Sequence, residues 1–174
     1  MRSREEPDEE LADEGSAGSA ATLRHVMGSF MTGVTIVSTV WQDVAHAMTA
    51  TAVSSVSLDP PLILVCVSKT SRFHAAVLGS GRWAASLLRH DQEPIARHFS
   101  NKGRDLLTQF DTVPHEPAPV CGAPLIVGAH GWLECDTYAT YDGGDHTIVV
   151  GLLVRASQRA PSGRPLTYYQ GAYS

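Results

Sequence analysis

The chain has 174 residues, 43% of them hydrophobic, and a formal net charge of −5, a length and apolar content that fit one domain with its own core. Seven acids against Arg2 and Arg4 put the whole −5 into the first twenty residues, so the rest is neutral, with eleven acids and eleven bases. No basic stripe is left to neutralise a phosphate backbone or to seek an anionic bilayer, which argues against nucleic-acid and membrane partners.

Residues 1–20 are acidic, rich in Gly, Ser and Ala and almost free of large apolar groups. Such a segment buries too little surface to offset ordering entropy, and it reads as a disordered tail ahead of a single domain over 21–174. A short helix follows, with Leu23, Val26, Met27 and Phe30 on one face and Gly33 as its stop. Val34–Val40, Ala47–Val53 and Leu62–Val67 are β-branched runs that predict strands, with Trp41-Gln42-Asp43 as turn material between the first two. Ser71 predicts the cap of a helix that carries Phe73, Ala76, Val77 and Leu78 and ends at Gly79, and Arg82–Leu88 reads as the next strand. Asp91 is the expected cap of a helix running to Phe99, with Pro94 in the first turn and Ile95 and Phe99 inward. Four prolines mark an irregular stretch from Ser100 to Pro124. Gly131–Thr140 and Thr147–Val154 then predict a hairpin joined through Tyr141-Asp142-Gly143-Gly144-Asp145. Many short strands with a few small helices indicate a barrel rather than a doubly wound sheet.

The segment Met48-Thr49-Ala50-Thr51-Ala52-Val53-Ser54-Ser55-Val56-Ser57-Leu58-Asp59-Pro60-Pro61 carries five hydroxyl side chains beside Ala50 and Ala52. Small residues let a flat ligand lie against the main chain, where irregular backbone offers N–H and C=O groups to a polar ring edge. A plain Ser/Thr-rich connection ended by Asp-Pro-Pro is the competing reading of the same residues. Lys69-Thr70-Ser71-Arg72 brings two cations and two hydroxyls to a helix start. That is the chemistry of an anion site, or of an exposed cap with solvated charges.

Other motifs fail on context. Gly79-Ser80-Gly81-Arg82-Trp83-Ala84 has the glycine spacing of a dinucleotide fingerprint, but it follows a helix and precedes a strand, the reverse of what that site needs. Eight histidines include no pair with metal-ligand spacing, so no metal is expected. Cys66, Cys121 and Cys135 are odd in number and lack any Cys-x-x-Cys, which points to free thiols in a reducing, cytoplasmic setting. Cys66 reads as a small core residue in an apolar strand, and Cys135 sits in a similar strand setting. The N-terminus shows no apolar segment like that of a signal peptide, and no run reaches membrane-span length.

Together with Leu23-Arg24-His25-Val26-Met27-Gly28, Thr32-Gly33-Val34-Thr35-Ile36-Val37, Gly143-Gly144-Asp145-His146-Thr147-Ile148 and Leu166-Thr167-Tyr168-Tyr169-Gln170-Gly171-Ala172-Tyr173, the small-residue segment closely resembles the flavin reductase family that serves two-component flavin-dependent monooxygenases, over about residues 22–173. The resemblance implies a mainly β fold, a split β-barrel of Greek-key, FMN-binding type with a few short peripheral helices, assembled as a homodimer. It implies a flavin, FAD or FMN with FAD mildly preferred, against Thr49, Ala50, Thr51, Ala52, Val53, Ser55 and Val56. The flavin phosphates would meet Thr70, Ser71 and Arg72, with Lys69, Asn101 and Lys102 on weaker grounds. His146, Tyr168, Tyr169, Gln170 and Gly171 would meet the nicotinamide of NADH or NADPH. Relatives often have Asn in place of Thr51 and Phe in place of Val53, so local contacts differ there.

The reaction so implied moves hydride from reduced nicotinamide to flavin and hands the reduced flavin to a separate monooxygenase or halogenase. It requires no protein acid–base dyad, and no catalytic side chain is expected. Two rivals share the barrel: a non-catalytic flavin-binding electron carrier, which has no need of His146 or the tyrosine-rich end, and a pyridoxamine-phosphate oxidase-like enzyme with a richer cationic phosphate site.

Overall fold

The computed structural model describes residues 18–158 and 163–174. Its elements run α1 (Ala20–Gly28), β1 (Thr32–Gly33), β2 (Thr35–Trp41), β3 (Val44–Ala50), β4 (Val53–Leu58), β5 (Pro61–Ser68), α2 (Arg72–Ser80), β6 (Arg82–Leu87), a 3₁₀ turn (His90–Gln92), α3 (Glu93–Ser100), β7 (His115–Pro117), β8 (Pro124–Ile126), β9 (Gly131–Gly143), β10 (His146–Gln158), β11 (Thr167–Tyr169) and β12 (Ala172–Tyr173). Residues 1–17 of the expected acidic tail lie outside the described part. Residues 19 and 20 belong to the helix instead, since the Ser19 hydroxyl caps α1 by accepting from the Thr22 amide at 3.0 Å.

Seven strands form one antiparallel sheet in the order β3-β2-β6-β9-β10-β5-β4. β3 and β4 are consecutive in the chain but occupy opposite edges, with Thr51 and Ala52 between them. A sheet whose two edges are tied by two residues must curl on itself, and the edges part beyond that tie. This is a split β-barrel, as expected, although the expected single strand Ala47–Val53 is broken at the crossing.

β2 is buried on both faces, with Ile36 in one apolar cluster beside Leu88, Phe99, Ile126 and Leu166, and Val37 in a second beside Val65, Phe73, Trp83 and Val149. Each large side chain fully removed from water stabilises the fold by about 1.5–3 kcal/mol. α2 closes the second cluster with Phe73 and Val77, and α3 closes the first with Phe99.

Several helix ends differ from expectation. α1 stops at Gly28 and not at Gly33, which pairs with Thr167 in a small three-stranded sheet. α2 ends at Ser80, with Gly81 in the left-handed region at φ +66°. Gly79 lies inside the helix, and its missing side chain makes room for Trp41: a Cβ there would sit 2.4 Å from the indole nitrogen. Asp91 does not cap α3 but pairs with Arg89. The β9–β10 hairpin needs only Gly144 and Asp145 as its turn, so Tyr141–Gly143 extend the strand.

Candidate functional site

The Thr51–Ala52 crossing separates two clefts, and Thr51, Ala52 and Cys66 line both. The first, of about 510 Å³, runs from this crossing over Ala50 to the start of α2 and the loop after α3. The second, of about 740 Å³, is more apolar and lies between β4, α1 and the C-terminal hairpin β11–β12. Both fall in the ordinary range for small-molecule sites, roughly 300–1,000 Å³.

One end of the first cleft is built for an anion. Ser71 holds the N-terminus of α2 with its hydroxyl oxygen accepting from the His74 amide at 3.2 Å, so its own O–H is left to donate. Thr70 shares a hydroxyl contact with Ser68 at 3.1 Å. Arg72 donates to the Arg104 carbonyl at 2.8 Å, which fixes its guanidinium toward the loop after α3. Arg72, Lys102 and Arg104 all line this end, and no Asp or Glu does among the described residues. Helix-start amides and three cations therefore face one space.

The floor is made of small residues. Ala50 and Ala52 present only methyl groups, and the Ala52 carbonyl is tied to the Cys66 amide at 3.0 Å. The Thr49 hydroxyl, although at the cleft wall, already donates to the Ala96 carbonyl at 2.6 Å and so anchors β3 to α3. Two further residues belong here, one that the sequence assigns elsewhere and one that it does not flag. Cys66 is half-buried at both clefts, whereas its neighbours Val65 and Val67 point into the core, which corrects its reading as a core residue. His46 is 7% exposed at the cleft wall, and its Nδ1 has no hydrogen-bond partner. Burial, and then the nearby Arg72 charge, pull its pKa below the usual histidine value, which favours the neutral imidazole.

The residues carried over from the family resemblance separate into three groups. Thr49, Ala50, Thr51, Ala52, Thr70, Ser71, Arg72, Lys102 and His146 line the first cleft. Val53, Tyr168, Gln170 and Gly171 line the second. Lys69, Ser55, Val56, Asn101 and Tyr169 line neither. Lys69 is paired with Asp142, whose carboxyl it holds below the usual range. The Asn101 side chain accepts from the Gly103 amide at 2.9 Å, a turn contact. Ser55 and Val56 lie exposed on the edge strand β4.

His146 reaches the first cleft because β10 pairs with β5 so that His146 stands opposite Ser68. Its Nδ1 lies 2.7 Å from the Asp145 carboxylate, which is held below its usual pKa by that contact. Tyr168, Gln170 and Gly171 form a tight hairpin in which Gln170 (φ +47°) and Gly171 (φ +82°) take left-handed conformations, and the Gln170 amide donates to the Gly28 carbonyl at the end of α1. Within one chain, His146 and this hairpin thus stand on opposite sides of the Thr51–Ala52 crossing.

A family model described as a flavin reductase like domain matches residues 27–174. The chain belongs to the flavin reductase family. The NADH-dependent FAD reductase of Streptomyces globisporus is 44% identical to this flavin reductase over 137 residues, covering 78% of this chain and 75% of that protein. HsaB, the reductase subunit of a flavin-dependent monooxygenase in Mycobacterium tuberculosis, is 35% identical over 154 residues, covering 88% and 80%. Among solved structures, BorF, the flavin reductase component of a bacterial two-component tryptophan halogenase, superposes with a TM-score of 0.84 at 41% identity, covering 90% of this chain and 97% of that one.

The residues present suit a flavin. A phosphate fits the carboxylate-free end at Ser71, Arg72 and Lys102, a planar ring fits the methyl floor at Ala50 and Ala52, and the unpartnered buried Nδ1 of His46 adds a polar group to the same wall.

Proposed function

We propose that this protein is an NADH:flavin oxidoreductase that binds flavin in the first cleft and releases it, reduced, to a separate flavin-dependent monooxygenase or halogenase. The observation that carries the reading is the joining of a cationic, carboxylate-free end to a small-residue floor at the point where two clefts meet. When bound, the nicotinamide supplies a hydride from C4 and the flavin accepts it at N5.

The protein's share is positioning. Thr70, Ser71, Arg72 and Lys102 hold phosphate, with FAD mildly preferred over FMN. Ala50, Thr51 and Ala52 admit the ring close to the backbone, where a separation of roughly 3–3.5 Å between reacting atoms is needed. His146 and the Tyr168–Gly171 hairpin orient the nicotinamide from either side of the crossing. No covalent tether is needed, and an open cleft lets flavin exchange.

A second copy of the chain completes the assembly. Leu23, Val26, Met27, Phe30 and Met31 are each more than half exposed, an apolar patch that a lone soluble chain rarely shows. The patch borders the second cleft, so a homodimer would cover it and wall that cleft at once. A cytoplasmic location accords with three free cysteines. No helix among the described residues is long and apolar enough to cross a membrane.

Purified protein mixed anaerobically with NADH and either FAD or FMN should oxidise nicotinamide and bleach flavin in equal amounts. Nicotinamide left unoxidised with both flavins would favour a non-catalytic flavin carrier. Substituting Met27→Glu should shift the species seen by light scattering from dimer to monomer, and an unchanged mass would remove α1 from the interface.

A further inference from the structure

The cationic end of the first cleft is not held by equivalent groups. Lys102 is exposed and Arg72 projects from a helix start, whereas Arg104 is half-buried and woven into the backbone. Its Nε donates to Gln109 Oε1 at 2.9 Å, Nη1 donates to the carbonyls of Phe99 at 2.8 Å and Asn101 at 2.6 Å, and Nη2 donates to the carbonyl of Ala47. The guanidinium also stands 5.3 Å over the Phe99 ring.

These contacts join three separate pieces. Ala47 belongs to the edge strand β3, Phe99 to α3, and Asn101 to the loop that carries Lys102. Gln109 strengthens the same seam, because its amide donates to the Ala45 carbonyl of β3 at 2.8 Å. Arg72 then holds this loop from the other side through the Arg104 carbonyl. All acceptors of the Arg104 side chain are neutral, so its charge is shared but not cancelled. Burial and the Arg72 charge depress its pKa to about 10, the sign of a cation lacking an anion.

We propose that Arg104 is the positioning residue of the phosphate end: its fork fixes the Asn101–Leu106 loop against β3, and its uncompensated charge makes the cleft favour phosphorylated flavins over riboflavin. This rests on the reading that flavin phosphate lies at Ser71 and Arg72. An anion there meets a charge already held in place by rigid carbonyls, so little side-chain ordering remains to be done on binding.

The test measures dissociation constants of riboflavin, FMN and FAD by fluorescence quenching for the wild type, Arg104→Gln and Arg104→Lys, with a melting curve for each. The wild type should hold FMN and FAD about tenfold or more tighter than riboflavin, as expected for charge-assisted phosphate contacts. Arg104→Gln should remove most of that preference and leave riboflavin within about twofold of wild type. Arg104→Lys keeps charge but loses the fork, and should retain part of the preference. Equal weakening of all three flavins in Arg104→Gln would reduce Arg104 to a general structural residue and overturn the proposal. If the Gln variant melts below the assay temperature, Arg104→Lys decides, and an unchanged FMN-to-riboflavin ratio there also overturns it. A wild type that binds riboflavin as tightly as FMN would instead refute the phosphate placement on which the proposal rests.

Discussion

Ala50 ends the strand at one edge of the seven-stranded sheet and Val53 begins the strand at the other, with only Thr51 and Ala52 between them. The consequence is chemical as well as topological. At this crossing the chain leaves one edge ladder before joining the next, and both clefts open against the same two residues. A bulky side chain here would fill the space that a planar ring needs, without touching the apolar clusters that hold the barrel together.

Ala52→Leu tests this. Ala52 is exposed, so the added carbons enter the clefts and not the core. Flavin affinity should fall by about tenfold, equivalent to about 1.4 kcal/mol, while the melting temperature stays within a degree or two of wild type. Retained affinity would place the ring elsewhere.

Much of the barrel was legible from the chain because β2, β5 and β6 are β-branched or apolar runs bounded by turn residues. The break between β3 and β4 was not, because Thr51 and Ala52 sit in a stretch whose strand propensity is continuous. What interrupts it is the need to reach the far edge of the sheet. The 3.6-residue spacing of Leu23, Val26 and Met27 revealed a helix face but not its cover, and the face is exposed in one chain. The wholly apolar run around Cys66 points to the core. Sheet alternation instead sends Val65 and Val67 inward and Cys66 to the clefts. The anion site at Ser71 and Arg72 was visible as cations at a helix start. Arg104 was not, because its role depends on carbonyls of β3 and α3 that are distant in sequence, although the basic pair Lys102 and Arg104 just after a helix was a usable signal.

The three cysteines should separate by reactivity. Burial pushes the Cys121 thiol up to about 11 and the Cys135 thiol up to about 12, so at pH 8 their thiolate fractions are roughly 10⁻³ and 10⁻⁴. Cys66 faces the clefts and should be alkylated first by N-ethylmaleimide, as read by peptide mass. Saturating FMN should slow that labelling several-fold, and a rate indifferent to FMN would mean that bound flavin does not cover the Cys66 wall.

His46 gives a pH signature. Its pKa in the folded chain lies below the unfolded value of 6.5 because burial and Arg72 disfavour the imidazolium. At this site the unfolded chain therefore binds more protons in the window below pH 6.5, and the His46 contribution to stability rises with pH there. The contribution of His46 is complete above that value and is lost as pH falls toward the folded pKa. Between about pH 7.5 and 5.5, wild type should lose more stability to urea than His46→Asn, whose side chain does not titrate. Parallel curves would assign the acid sensitivity to other histidines.

Gly151 separates fold defects from site defects. It lies at a register shift in β10, directly beneath the fully buried Trp83 ring, where a Cβ would sit 2.5 Å from Trp83 Cζ2 and 2.7 Å from Cys135 Cβ. Neither neighbour is the free end of a flexible chain, because Trp83 is packed within the cluster of Val37, Val65 and Val149. Gly151→Ala should therefore cost about 1–3 kcal/mol in denaturant unfolding, the usual penalty for overpacking a filled core. Gly151 lines neither flavin-side cleft, so the flavin dissociation constant of the folded fraction should stay within about twofold of wild type. Pairing this variant with Ala52→Leu gives opposite profiles, stability lost with affinity kept and affinity lost with stability kept. If Gly151→Ala lowered both together, the crossing and the Trp83 cluster would be mechanically coupled, and the small residues at Thr51–Ala52 would owe their role to the core behind them as much as to the space in front.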